Sequence, residues 1–237
     1  MKNIFLLICL IIIPFQVKSY SQNEKSKEDW ANLKKYSEAD KILTDQASGE
    51  KRIVFMGNSI TEFWAKIDTD FFANKTYIDR GISGQTSPQM LLRFRQDVIN
   101  LKPAIVVILA GTNDIAENTG PITLNDIFGN IVSMVQLAEA NKIKVILSSV
   151  LPAYDFPWHP GLQPAEKIVK LNNMIKSYCQ KNNIVYVDYY SKMVDERKGL
   201  DRRFTNDGVH PTLAGYKIMD RLIGKAINAV LKSTKTL

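Results

Sequence analysis

The stretch Ile53-Val54-Phe55-Met56-Gly57-Asn58-Ser59-Ile60-Thr61 decides how the rest of the chain is interpreted. It begins with a short apolar run that is typical of a buried strand, and Gly57 then allows the chain to turn sharply. Ser59 follows where the strand gives way to a helix. Because ligands bind at the carboxyl ends of the strands in open parallel sheets, Ser59 would lie where a reaction can take place.

The same serine also has a purely structural interpretation. Residues Ser59-Ile60-Thr61-Glu62 match a capping box, in which the serine hydroxyl only caps the first turn of a helix. Short motifs of this kind often occur by chance, so this stretch alone does not distinguish a nucleophile from a cap. Residues elsewhere in the chain have to distinguish the two roles.

Apolar runs and helical patterns alternate along most of the chain. Strand candidates occupy residues 52–56, 76–79, 104–110, 143–150 and 184–188. Apolar residues recur at helical spacing in three further stretches, which are Leu91, Phe94, Val98 and Leu101, then Ile127, Ile131, Met134, Val135 and Ala138, then Met219, Leu222, Ile223, Ala226, Ile227 and Val230. Such alternation indicates βαβ units and a parallel sheet covered on both faces. The sequence therefore predicts one three-layer α/β/α domain over residues 51–237.

The N-terminal residues predict an exported protein. Lys2 precedes an apolar run over residues 4–15, which is shorter than the roughly 20 residues that span a bilayer. Small residues then follow at Ser19 and Ser21, as a signal peptidase requires. We interpret residues 1–21 as a signal peptide, with a retained anchor as the alternative, and expect a periplasmic or extracellular protein without a stable membrane span after cleavage. Residues 22–50 predict a lead-in helix that packs on the domain.

Charge and cysteine content exclude several classes of function. The net charge of +7 is spread along the chain without a run of five basic residues, which disfavours nucleic-acid binding. Cys179 would be the only cysteine left after signal cleavage, so no intramolecular disulfide is expected. It recurs at helical spacing with Ile168, Leu171 and Ile175, which predicts a buried position. No cluster of Cys and His has the spacing of metal ligands, so no metal is expected.

Polar or glycine-containing stretches follow the strand candidates. They are Gly57-Asn58-Ser59, Arg80-Gly81-Ile82-Ser83-Gly84-Gln85-Thr86, Gly111-Thr112-Asn113-Asp114 and, near the C-terminus, Asp207-Gly208-Val209-His210-Pro211. Each has a structural alternative: residues 86–89 match a helix start with proline in the first turn, and Asn113 with Asp114 could form an Asx-turn. Together, however, they fall where a parallel sheet assembles a site.

The chain has only two histidines, His159 and His210, so an imidazole base must be one of them. Asp207 precedes His210 by one turn, which can bring its carboxylate to the imidazole Nδ1–H. His159 lies in a proline-rich loop, which favours a loop or substrate-contact role. The order Ser, Asp, His is that of the α/β-hydrolases, but their G-x-S-x-G motif is absent.

Four blocks of this sequence resemble the signature blocks of the SGNH (GDSL-type) hydrolases, and they extend over about residues 52–230. The blocks are Gly57-Asn58-Ser59-Ile60, Gly81-Ile82-Ser83-Gly84, Gly111-Thr112-Asn113-Asp114 and Asp207-Gly208-Val209-His210. The resemblance implies a flavodoxin-like fold with a five-stranded parallel sheet in the order 2-1-3-4-5. It also implies enzymes that cleave carboxylic esters and some thioesters without a cofactor.

Carried over by position, the resemblance assigns a role to each of five residues. Ser59 would be the nucleophile, His210 the general base and Asp207 the acid that orients it. The oxyanion hole would consist of the backbone N–H groups of Ser59 and Gly84 and the side-chain amide of Asn113. One departure is visible, because Asn58 stands where the family has aspartate. Since that residue is not the acid of the triad, we expect activity to persist.

The expected function is an exported serine esterase that hydrolyses small acyl esters, acetyl esters on carbohydrate in particular. Its partner would be a small-molecule or glycan ester. Tyr154, Phe156 and Trp158 could stack on sugar faces, or they could pack their loop onto the domain. The alternatives are a lysophospholipase, a short-chain thioesterase, or a non-catalytic carbohydrate-binding module, although such a module would not need the complete catalytic set. A nucleotide-binding protein is disfavoured, because no G-x-G-x-x-G or P-loop follows the first strand.

Overall fold

A parallel sheet forms the centre of the molecule within residues 29–45 and 51–233, which the computed structural model describes. Its five strands are β1 (Ile53–Gly57), β2 (Tyr77–Gly81), β3 (Ile105–Ile108), β4 (Lys144–Ser148) and β5 (Val185–Val187). They are ordered β2-β1-β3-β4-β5 and all pair in parallel. The predicted fold class and strand order are therefore confirmed. The signal peptide predicted at residues 1–21 lies outside the described residues.

Helices cover both faces of this sheet. They are α1 (Ser37–Asp45), α2 (Ser59–Ile67), α3 (Thr69–Phe72), α4 (Ser87–Asp97), α5 (Thr112–Ile115), α6 (Leu124–Ala140), α7 (Pro164–Asn182), α8 (Tyr190–Met193) and α9 (Leu213–Ser233). A short 3₁₀ turn, Ile99–Leu101, follows α4. Within the predicted lead-in region 22–50, the described helix is α1. Among the helices in the described parts of the chain, none is both long and apolar enough to cross a membrane.

The core is divided between the two faces of the sheet, because side chains alternate along each strand. Val54 and Met56 of β1 face one apolar cluster, which α4, α6 and α7 complete. Ile53 and Phe55 face the other cluster, which α2 and α9 complete. The five apolar residues predicted as the stripe of α6 are all buried, and Cys179 is buried in α7, as its spacing predicted.

Some predicted strands were longer than the strands in the structure. The third candidate, 104–110, contains the ladder residues 105–108, and Leu109 and Ala110 remain buried beyond it. The fourth candidate, 143–150, contains the ladder residues 144–148. In both cases the apolar run continues after the ladder because the loop that leads to the site is itself buried. Apolar character reports burial, and it does not mark the point where strand pairing ends.

Helix α4 begins as predicted but buries a different face. The backbone N–H of Thr86 donates to Gln89 Oε1 at 3.0 Å, and a proline occupies the first turn. The helix ends at Asp97, so Val98 and Leu101 of the predicted stripe follow it. Its buried residues include Arg93 and Asp97 beside Met90 and Phe94. The predicted apolar stripe was therefore wrong in part, because a buried ion pair shares this face.

Arg93 is fully buried and all its described partners are oxygen atoms. Its Nη2 donates to the carbonyls of Gly57 at 3.0 Å and Arg80 at 2.8 Å, at the ends of β1 and β2. Its Nη1 donates to Asp97 Oδ2 at 2.7 Å, and its Nε donates to Gln85 Oε1 at 2.5 Å. Burial lowers the pKa of Arg93, and the neighbouring carboxylate opposes that shift. The guanidinium thus joins two strand ends to the helix and to the loop before it.

We expect Arg93→Leu to lower the free energy of unfolding by about 3–5 kcal/mol, because it leaves the buried carboxylate of Asp97 without its partner. Urea unfolding measures the loss. The matched control is Arg95→Leu at an exposed position of the same helix, which should cost less than about 0.5 kcal/mol. A double Arg93→Leu, Asp97→Leu variant should recover part of the loss, since it removes both charges. Equal effects at residues 93 and 95 would contradict the structural role of the buried arginine.

Candidate active site

Ser59 is the first residue of α2, and its hydroxyl contacts a histidine instead of capping the helix. Asn58 is the cap, because its Oδ1 accepts the backbone N–H of Ile60 at 3.0 Å. Ser59 Oγ lies 2.9 Å from His210 Nε2. Glu62 does not return to the helix start but binds other groups. The capping-box interpretation of Ser59 is therefore wrong, and the start of α2 presents the hydroxyl to the imidazole.

Two glycines allow α2 to begin this close to the strand ends. A Cβ atom on Gly81 would lie 2.2 Å from the backbone nitrogen of Glu62, and one on Gly57 would lie 2.0 Å from Thr61 Oγ1. Real Cβ atoms do not approach other atoms so closely. The first turn of α2 therefore rests directly on the ends of β1 and β2, and this contact fixes where Ser59 points.

Asp207 and His210 are held together by a single tight turn. Asp207 Oδ2 lies 2.6 Å from His210 Nδ1, and Asp207 Oδ1 accepts the backbone N–H groups of Val209 at 2.9 Å and His210 at 2.8 Å. Gly208 has a φ of +85°, which glycine adopts without strain. Burial would raise the pKa of Asp207, but the hydrogen bonds from His210 and Val209 lower it to about 2. The ionised carboxylate therefore accepts the Nδ1–H, which leaves Nε2 free to accept the serine proton.

The second and third sequence blocks bind to each other. Asn113 is buried, and its Nδ2 donates to the carbonyl of Gln85 at 2.9 Å. Asp114 accepts the backbone N–H of Ser87 at 2.8 Å and its hydroxyl at 2.5 Å. The burial of Asp114 raises its pKa, although these hydrogen bonds lower it in part. Neither residue forms an isolated Asx-turn. Instead, they hold the loop that contains Gly84, whose φ is +79°.

Glu62, in the first turn of α2, holds the same loop through its carboxylate. Its Oε2 accepts both the backbone N–H and the hydroxyl of Ser83 at 2.7 Å. Its Oε1 accepts from Lys35 at 2.8 Å and from Lys66 at 2.7 Å. Burial would raise the pKa of Glu62, but these hydrogen bonds lower it to about 2. Sequence analysis named this residue only as a capping partner, and its contact with Ser83 is a finding of the structure.

The three aromatic residues of loop 154–158 differ in how far they are buried. Phe156 is fully buried, so of the two alternatives left open by the sequence this residue packs the loop onto the domain and cannot stack on a sugar. Trp158 is 44% exposed, and its ring centroid lies 6.0 Å from that of His210. Tyr154 is exposed too, but the guanidinium of Arg197 lies over its ring at 4.9 Å. Of the three aromatic residues, Trp158 is the one next to the imidazole.

Asn118 connects the aromatic loop to the two loops that contain Gly84 and Asn113. Its Oδ1 accepts the indole N–H of Trp158 at 3.0 Å, and its Nδ2 donates to the carbonyl of Gly84 at 3.1 Å. Its backbone N–H donates to the carbonyl of Asn113 at 3.0 Å. Nothing in the sequence marks Asn118, because an asparagine in a loop has no periodic or spacing signal.

A cleft of about 610 Å³ opens beside these loops. Its lining includes Gly84, Trp158, whose ring lies next to that of His210, and Trp30 from the N-terminal segment. His159 also lines it, and its Nδ1 lies 2.8 Å from the carbonyl of Ala116. His159 does not contact Ser59. In the described parts of the chain, no group of three or more His, Cys, Asp or Glu side chains is placed to hold a metal ion.

Comparison with known proteins finds similar sequences and similar folds. The profile of the GDSL-like Lipase/Acylhydrolase family matches residues 55–218. A GDSL-like lipase of Bacteroides thetaiotaomicron is 55% identical, covers 85% of this chain and 99% of its own, and superposes with a TM-score of 0.82. Esterase TesA of Pseudomonas aeruginosa is 28% identical over 73% of this chain and 85% of its own length. The lipoprotein YqeF of Bacillus subtilis is 33% identical over 56% of this chain and 47% of its own.

The chain therefore belongs to the GDSL-like lipase/acylhydrolase family. The predicted resemblance to the SGNH hydrolases is confirmed, and so is the prediction of an ester hydrolase. The four sequence blocks meet at the carboxyl edge of the sheet.

We expect Glu62→Gln to destabilise the protein in a pH-dependent manner. The pKa of Glu62 is lowered in the folded state, so its ionised form stabilises the protein above the ordinary pKa of about 4.5, and this stabilisation is lost as pH falls toward 2. At pH 7 the free energy of unfolding of the variant should be about 1–2 kcal/mol lower than that of the wild type, allowing for partial screening. Chemical denaturation from pH 7 to pH 2 should show the difference between wild type and variant shrinking below pH 4.5.

Glu38→Gln is the matched control for that measurement. Glu38 forms an exposed pair with Lys41, at 3.3 Å, so its replacement should change the free energy of unfolding by less than about 0.5 kcal/mol. A pH-independent cost at residue 62 would show that its side chain stabilises the fold without its charge.

Proposed function

We propose that this chain is an exported serine esterase that hydrolyses small acyl esters, acetyl esters in particular, with Ser59 as the nucleophile. The observation that carries the proposal is the continuous contact from Ser59 Oγ to His210 Nε2 at 2.9 Å and from His210 Nδ1 to Asp207 Oδ2 at 2.6 Å. An imidazole with a carboxylate on one nitrogen and a hydroxyl on the other can act as a general base toward that hydroxyl. The named esterase TesA among the relatives supports carboxylic esters as the substrate class.

The reaction follows from these positions. Ser59 Oγ attacks the ester carbonyl while His210 Nε2 accepts its proton, and the imidazolium then protonates the leaving alcohol. The ionised Asp207 stabilises that imidazolium through Nδ1. Water next attacks the acyl-serine ester with His210 again as the base, which releases the carboxylic acid and restores the serine.

The developing oxyanion would be held by the backbone N–H groups of Ser59 and Gly84 and by the amide of Asn113. An amide nitrogen carries two protons, and Asn113 uses one toward the carbonyl of Gln85 at 2.9 Å. That bond fixes the amide plane, so the second proton is already oriented when charge develops. Preorganised donors of this kind are usually the largest electrostatic contribution to acyl transfer. The N-terminus of α2 adds its positive dipole end at the nucleophile.

Two aromatic rings beside the imidazole support the choice of a short acyl group. Phe63 lies 5.2 Å from His210 and Trp158 lies 6.0 Å from it, measured between ring centroids. These two rings provide small apolar surfaces next to the reacting atoms. Export is supported by the apolar N-terminal run of the sequence and by the similarity to a lipoprotein.

We expect Ser59→Ala to lower the hydrolysis rate of p-nitrophenyl acetate by at least about 10³-fold, as loss of a triad nucleophile does. A fluorophosphonate should label the wild-type protein at Ser59, as peptide mass spectrometry would locate. Labelling that persists in Ser59→Ala would disprove the assignment. His210→Ala should cause a comparable loss, whereas His159→Ala, whose imidazole binds the carbonyl of Ala116, serves as the control for the choice of histidine.

Two asparagines near the nucleophile should differ in their importance for the rate. We expect Asn113→Ala to lower kcat by about 10²–10³-fold with KM nearly unchanged, because an oxyanion donor acts in the transition state. Asn58→Asp keeps the oxygen that accepts from Ile60 and removes a buried Nδ2 that has no partner among the described residues. It should change kcat by less than about tenfold. Steady-state kinetics on p-nitrophenyl acetate compares the two, and a harmless Asn113→Ala would contradict the proposed oxyanion hole.

A further inference from the structure

We propose that the cleft lined by Trp30 and Trp158 is a saccharide subsite, which holds the alcohol portion of the ester beside Ser59. The inference rests on the proposed esterase function and names the class of alcohol that the enzyme releases. It gives the N-terminal segment before α1, which lies outside the family match at residues 55–218, a direct part in substrate binding.

Trp30 is an exposed side chain on a backbone that is firmly held. Trp30 is 51% exposed. Its carbonyl accepts from Gln89 Nε2 at 2.6 Å, and the next carbonyl, that of Ala31, accepts from Gln85 Nε2 at 2.6 Å. Gln85 is itself bound to the buried guanidinium of Arg93. The backbone that carries the indole is therefore held beside the cleft by bonds that reach the strand ends, while the side chain itself stays half-exposed.

Trp158 provides a second aromatic surface, and it reaches the catalytic imidazole. Its ring packs on the buried ring of Phe156 with centroids 5.2 Å apart and an angle of 30°. Its indole N–H is bound to Asn118 at 3.0 Å, so both its position and its orientation are fixed. The centroids of this ring and of the His210 ring are 6.0 Å apart, so a ligand stacked on Trp158 lies close to the imidazole. The aromatic surface therefore leads from the cleft to the reacting atoms.

The polar groups of the cleft suit a neutral, hydroxyl-rich ligand. The lining includes the polar residues Asn32, Glu117 and Thr119, of which Thr119 Oγ1 also lies 3.1 Å from Thr86 Oγ1. His159 also lines the cleft, and its Nδ1 donates to the carbonyl of Ala116 at 2.8 Å, which turns Nε2 away from that bond. These groups include both donors and acceptors, as hydroxyl groups require, and the apolar face of a sugar ring packs on aromatic side chains.

The charge of the cleft separates a sugar from a phospholipid. Among the described residues that line it, none is Lys or Arg, and Glu117 is acidic. The Nζ of Lys167 lies 3.9 Å from Glu117 Oε1, so a cation outside the lining partly balances this carboxylate. The described lining itself offers a phosphate group a carboxylate and no Lys or Arg. Two tryptophans and a carboxylate could attract a quaternary ammonium group such as that of choline. In choline phospholipids, however, this ammonium group is attached through a phosphate group, which the lining does not favour. We therefore assign the cleft to a neutral saccharide, and a choline ester becomes the competing outcome of the test.

Three acetyl esters with different alcohols provide the kinetic test: O-acetylated xylotetraose, acetylcholine and p-nitrophenyl acetate. In Trp30→Ala, kcat/KM for the acetylated xylotetraose relative to p-nitrophenyl acetate should fall about tenfold, as expected for one lost stacking surface. The loss should appear in KM. Trp30→Phe, which keeps an aromatic ring, should restore most of the ratio. Leu92→Ala, at an exposed position of α4 outside the cleft, should leave the ratio unchanged.

Binding to an inactive background separates this proposal from the proposed function. Calorimetry on Ser59→Ala should detect O-acetylated xylotetraose, and adding Trp30→Ala should weaken that binding about tenfold. If the wild-type protein hydrolyses none of the three esters, the esterase proposal fails, and calorimetry still decides the subsite. An unchanged ratio and unchanged binding in Trp30→Ala would overturn the saccharide subsite. A selective loss on acetylcholine would overturn it as well, in favour of a cationic ligand.

Discussion

The buried guanidinium of Arg93 holds together the part of the molecule on which the site depends. It donates hydrogen bonds to the carbonyls of Gly57 and Arg80 and to the side chains of Gln85 and Asp97. Those carbonyls lie at the ends of two strands. Strand β1 precedes Ser59, and strand β2 precedes the loop that contains Gly84. A charged group taken out of water in this way is tolerated only when its hydrogen bonds are satisfied. Satisfying them fixes the relative positions of both strand ends.

The segment before the first strand extends this arrangement outward. Lys35 contacts Glu62 at 2.8 Å, and the hydroxyl of Tyr36 donates to the carbonyl of Gly81 at 2.5 Å. Glu62 in turn holds Ser83 of the loop that contains Gly84. Because these contacts involve a residue of α2 and the end of β2, the N-terminal segment buttresses the site from outside the sheet. A structural function of this segment and its proposed contact with substrate are therefore compatible.

Electrostatics at the site follow from hydrogen bonding more than from burial. Burial alone would raise the pKa of both Asp207 and Glu62, and in each case donated hydrogen bonds lower it to about 2. Asp114 is more deeply buried, its donors include the uncharged N–H and O–H groups of Ser87, and burial raises its pKa. The two carboxylates whose pKa is lowered thus face groups that must be held in one orientation, the imidazole of His210 and the backbone of Ser83.

The sequence by itself determined the sheet, its covered faces and the pair Asp207 and His210, and the resemblance to the SGNH hydrolases added Ser59 as the candidate nucleophile. Apolar periodicity reports burial directly, and an acid one turn before a histidine is a local relation that spacing can reveal. Tertiary structure alone decided that Ser59 meets a histidine 151 residues away instead of capping its helix. It also decided that charged Arg93 lies on the buried face of α4 and that Phe156 is buried while Trp30 is exposed. These features depend on partners distant in the chain, and no local pattern records which side chains such partners will satisfy.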